Sequence, residues 1–132
     1  MGKVSGPILD RMDLVTRVED VSLDALIQNR QPTESSEKIR ERVCRARSIQ
    51  EERFAGTDIL CNAGMGIKEV REYCSLSAEA EEKLFRAFGR MRLSARGYHK
   101  ILRVARTIAD LEAEEKIRLE HIEEALLYRN RD

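Results

Sequence analysis

Cysteine and proline are scarce in this chain of 132 residues, and each scarcity excludes something. The three cysteines, Cys44, Cys61 and Cys74, are odd in number and widely spaced, with no CxxC pair. That pattern suits neither a disulfide framework nor a zinc site, so they read as reduced, partly buried thiols of a cytoplasmic protein. The two prolines, Pro7 and Pro32, both fall in the first quarter, and beyond Pro32 no proline interrupts a helix. Histidine is limited to His99 and His121, with no HExxH, no Cys/His metal pattern and no arguable Ser/His/Asp set. No apolar run approaches the ~18 residues of a membrane span, and no secretory signal is visible. Neither sign of charge is in excess: Lys plus Arg and Asp plus Glu number 24 each. A nucleic-acid domain usually carries a basic surplus, so any DNA contact here would need a local patch.

What is present suits one small domain built on charged helices. The hydrophobic fraction is 42% and the charged fraction 36%, enough apolar residues for a single core and the charge density of long helices. Residues 13–21 carry Leu14, Val15, Val18 and Val21 and read as one short strand, which cannot stand without a partner. Residues 22–34 read as a linker. From there the expectation is all-α. Ser35 or Ser36 caps a helix to about Phe54, with Ile39, Val43, Ala46, Ile49 and Phe54 as its apolar stripe. A loop over residues 55–66 holds three glycines, and a short helix covers Ile67–Cys74. Ser77 caps a helix to about Arg90 with Leu84, Phe85 and Phe88 inward, Gly89 beginning its exit. Ser94 caps the next, which runs to about Glu114, with Leu93 and Tyr98 at hydrophobic-staple spacing. A last helix, about Leu119–Arg129, buries Ile122 and Leu126. The boundary between the two parts falls at residues 1–33 and 34–132.

Two segments carry chemistry. Ser94 caps a helix, so Ala95, Arg96 and Gly97 form its first turn. Helix N-termini present unpaired N–H groups and partial positive charge, which is an anion site. An arginine is unfavourable there unless an anion meets it. The guanidinium fork of Arg96 suits a phosphate, or else pairs with a nearby carboxylate. Arg11 follows the turn Ser5-Gly6-Pro7-Ile8-Leu9 and precedes the expected strand. It could reach a neighbouring subunit's γ-phosphate, or pair with Asp10 or Asp13 on the surface. The arginines of the first long helix, Arg40, Arg42, Arg45 and Arg47, alternate with glutamates and read as a salt-bridge-laced exposed face rather than a DNA surface. Arg103 and Arg106 read as structural ion pairs with Asp110 or with acids of the last helix, and His99 as a packing or capping residue.

The pairing of SGPILDRMDL with LSARGYHKILRVARTIADLE and a closing HIEEALLYR resembles the C-terminal part of the magnesium-chelatase-like AAA+ ATPases, in their YifB/ComM, competence-related branch. The likeness covers residues 4–130. It implies a helical lid of four to five helices preceded by a remnant of an α/β core. It implies that Arg96 is the sensor 2 arginine, reaching the γ-phosphate of its own subunit beside Ser94, Ala95 and Gly97. Arg11 would be the arginine finger, acting in trans in a ring, expected to be a hexamer. ATP and Mg²⁺ would be bound by the longer parent, whose work would be remodelling, with DNA as the expected substrate. Residues 13–21 would be the last core strand, and Asn62-Ala63 a recurrent loop of the lid.

No GxxxxGK[ST] occurs in the chain, and no strand ending in paired acids precedes Arg11. The chain therefore reads as a piece of a longer protein. Two other readings stay open: a freestanding helical adaptor for protein or DNA, in which Arg96 is structural, and the lid of a metal-chelatase subunit. The chain by itself is expected not to hydrolyse ATP; phosphate release by the pure polypeptide in a malachite-green assay would contradict this.

Overall fold

The computed structural model describes residues 35–128. The expected strand at 13–21, the linker at 22–34 and Arg11 lie outside the described residues. Within them the chain is all-helical, with five α-helices, one 3-10 turn and no strand. These are α1 (Ser36–Arg53), the 3-10 turn (Asn62–Gly64), α2 (Ile67–Tyr73), α3 (Ala78–Arg90), α4 (Ala95–Leu111) and α5 (Leu119–Leu127). The serine caps sit where the sequence puts them. Ser35, Ser77 and Ser94 have extended backbone, and their hydroxyls accept from the Lys38, Ala80 and Gly97 N–H groups.

The central element is α4. It packs against α1, α2, α5 and the 3-10 turn, while α3 leans on α5. Its apolar face buries Ile101, Leu102, Ala105 and Ala109 against Leu84, Ile117 and Ile122. Ala105 and Ala109 are small, which lets the neighbouring helices approach closely. A single parallel bridge, Leu76 to Ile117, ties together the segments that lead into α3 and α5: Ser77 N–H donates to Ile117 O at 2.9 Å, and Ile117 N–H to Ser75 O at 2.8 Å.

α3 ends at Arg90 as expected, but Gly89 lies inside it and does not begin the exit, and α4 stops at Leu111 rather than at Glu114. Arg92 (φ 50°) and Ala113 (φ 57°) take the left-handed conformation that terminates a helix, a role usually given to glycine. Leu93 N–H then donates to Phe88 O at 3.2 Å, and Glu114 N–H to Ala109 O at 2.8 Å. Both are the six-to-one bonds of a Schellman ending.

Inside the bundle sits a charged network. Asp110, 1% exposed, accepts two bonds from Arg53 (2.8 and 2.7 Å), one from Arg106 Nε (3.2 Å) and one from Asn62 Nδ2 (2.8 Å). Arg53 also donates to Asn62 Oδ1 at 2.8 Å, and the Asn62 N–H donates to Gln50 Oε1 at 2.9 Å. Arg106, 2% exposed, spends its other donors on the carbonyls of Tyr73, Glu114 and Glu115. Burial lowers the Arg106 pKa, and the charge of Asp110 opposes that. Two cations thus share one carboxylate, and carbonyls at the end of α2 and in the turn after α4 take up the surplus. His121 is buried as well. Its Nδ1 accepts the Arg118 N–H at 2.9 Å, so the ring is protonated at Nε2, which bonds Glu112.

Several expectations are corrected. Phe85 and Phe88 are not inward: they are 79% and 44% exposed, because Ala80, Leu84 and Ala87 take the buried face of α3. In α1, Ile39 and Val43 are exposed and only Ala46 and Gln50 are buried, since the bundle covers the C-terminal half of that helix. Arg40, Arg45 and Arg47 are exposed and form no ion pair among the described residues, so salt bridges do not lace those three positions. Cys44 and Cys61 are exposed, and Cys74 alone is buried.

Asp110→Ala strands the buried guanidinium of Arg106 and the half-buried one of Arg53 and is expected to cost about 3–5 kcal/mol; urea denaturation measures it. Burial pushes the Cys74 thiol up to about 11 from 9.0. The folded protein therefore holds that proton more tightly than the unfolded chain does. Cys74 thus contributes stability that is complete below about pH 9 and lost as pH rises to about 11. Two thiols should react fast with Ellman's reagent in the folded protein, and the third only on unfolding.

Candidate functional site

The site begins with how α4 starts. Ser94 is extended (φ −75°, ψ 166°), and its hydroxyl accepts the Gly97 N–H at 3.0 Å. Its carbonyl accepts the Tyr98 N–H at 2.9 Å. Ahead of the cap, Leu93 is buried, and Tyr98 packs on the same core, as the staple spacing requires. Tyr98 also meets Phe88 edge-on, with ring centroids 5.8 Å apart. The first turn is therefore fixed on both sides. The Ala95 and Arg96 N–H groups are the ones that helix geometry leaves open at such an end.

Arg96 is exposed at the second position of that turn. It makes no ion pair or hydrogen bond among the described residues. The alternative of a nearby carboxylate partner thus has no support in the geometry. The first turn holds no acidic residue at all. A guanidinium at the positive end of a helix dipole, with no carboxylate paired to it among the described residues, favours binding of an external anion. The donor set fits phosphate oxygens. It does not fit Mg²⁺, which would need oxygen ligands that this turn lacks. No group of three or more His, Cys, Asp or Glu side chains suited to a metal occurs among the described residues.

One turn on, His99 directs Nδ1 to the Ala95 carbonyl at 2.7 Å and packs edge-on against Tyr98, in keeping with a packing role rather than a capping one. Ala95, Tyr98 and His99 share an apolar groove of about 390 Å³ with Leu84, Phe85 and Phe88. Arg11, the other predicted site residue, lies outside the described residues, so the two arginines are not brought together here.

Arg53, Asn62 and Asp110 are the positions that reading the sequence underrated. Arg53 ends a helix whose other arginines, Arg40, Arg42, Arg45 and Arg47, read as an exposed face. Yet it follows Ala46 by seven residues and Gln50 by three, which puts it on the buried stripe. Arg106 pairs with Asp110 as expected, whereas Arg103 Nε is buried without a partner.

Residues 33–129 match the family described as magnesium chelatase, subunit ChlI C-terminal. The chain belongs to this family. Competence protein ComM of Haemophilus influenzae is 40% identical over 98% of the chain. The uncharacterised YifB of Escherichia coli is 35% identical over the same share, and an uncharacterised protein of Mycobacterium tuberculosis 34%. The chain spans about a quarter of the length of these relatives. The five-helix bundle is thus a C-terminal helical domain of the magnesium chelatase type, in its ComM/YifB branch. No helix among its described residues is long and apolar enough to cross a membrane.

The geometry separates the roles of two arginines on one helix. Arg96→Ala removes an exposed, unpaired group and should change stability by no more than about 0.5 kcal/mol. Arg106→Ala removes a buried partner of Asp110 and should cost about 3 kcal/mol or more. Thermal unfolding of the two variants distinguishes them; equal losses would place Arg96 in the fold.

Proposed function

We propose that this chain is the helical lid of an AAA+ ATPase, and that Arg96 is its sensor of the ATP γ-phosphate. The observation that carries the reading is Arg96 itself: exposed, unpaired and fixed in the first turn of α4 by the Ser94 cap. Bonds from Arg96 and the open N–H groups of Ala95 and Arg96 would form with ATP and vanish with ADP. That differential contact is what can shift a lid between two positions. Arginine suits the task because its fork is planar and always charged.

In this reading residues 1–33 are a remnant of the α/β core, and residues 34–132 are the lid. Arg11 is the arginine finger, placed in trans on the nucleotide of an adjacent subunit in a ring, a hexamer. The pocket for ATP and Mg²⁺, with its Walker loops, belongs to the longer parent. The resemblance to a competence protein supports DNA as the substrate remodelled and the cytoplasm as the place of work. The likeness to magnesium chelatase allows a metal-chelatase parent instead, and the higher-identity relatives favour the competence branch.

The test uses the intact parent. Arg96→Ala is expected to lower ATP hydrolysis roughly 10²-fold or more while circular dichroism shows a folded lid; wild-type turnover would sink the reading. Arg11→Ala should act across the interface, so mixing it with wild-type subunits lowers activity below that of the wild-type fraction alone. Activity proportional to that fraction would remove the trans role.

A further inference from the structure

We draw no further inference here: the strongest candidate, the apolar groove that Phe85, Phe88, Tyr98 and His99 line beside the first turn of α4, carries nothing further because nothing in the structure shows what covers it.

Discussion

Asp110 is the residue on which the described bundle depends. It is a buried carboxylate near the C-terminal end of α4, held by Arg53 from α1, Arg106 from its own helix and Asn62 from the 3-10 turn. A buried charge this well surrounded is expensive to create and more expensive to break, since each partner removed leaves another ion without a counterpart. The network also fixes where segments lie that have little apolar area of their own. The 3-10 turn is anchored through Asn62, which reaches Arg53, Asp110, Gln50 and Thr107. The turn after α4 is anchored through Arg106 and the carbonyls of Glu114 and Glu115. Hydrophobic burial alone is non-directional and would tolerate sliding of α1 along α4; the bidentate Arg53–Asp110 pair sets the register.

That arrangement gives α4 two unlike ends. At one, Asp110 locks the helix to α1 and the 3-10 turn, and Arg106 ties it to the Tyr73 carbonyl at the end of α2. At the other, Ser94 and Leu93 fix a first turn from which Arg96 projects without a partner. The two residues are fourteen apart, which in an α-helix is roughly 21 Å. Because the Asp110 end is bolted and the core around Ala105 and Ala109 is tightly packed, a pull on Arg96 would move these elements together rather than bend them. This is the physical content of the proposed lid: the proposed sensor projects without a partner among the described residues, and the helix behind it is anchored at its far end.

Much of this was legible in the residues, for identifiable reasons. Serine caps are local chemistry, so Ser35, Ser77 and Ser94 mark three helix starts correctly. The apolar periodicity of α4 is strong, and its buried residues follow it. The residues that terminate helices were harder, because Arg92, not Gly89, and Ala113 adopt a conformation that glycine usually signals. Facing was hardest where the stripe is wide. On α3 the alanines at 80 and 87 take the core positions, leaving Phe85 and Phe88 outside although both are more apolar. Arg53 was hidden by its neighbours, since a charged residue among other arginines looks solvated until its counter-ion is seen. For the candidate site, Arg96 and its cap were readable from the sequence; that no carboxylate among the described residues pairs with it required the fold.

The most direct test of γ-phosphate sensing compares nucleotide affinities of the intact parent, wild type against Arg96→Ala, by isothermal titration. If Arg96 reads the γ-phosphate, the variant loses affinity for a non-hydrolysable ATP analogue by roughly tenfold or more, while its affinity for ADP is unchanged. Equal losses for both nucleotides, or no loss for either, would contradict it.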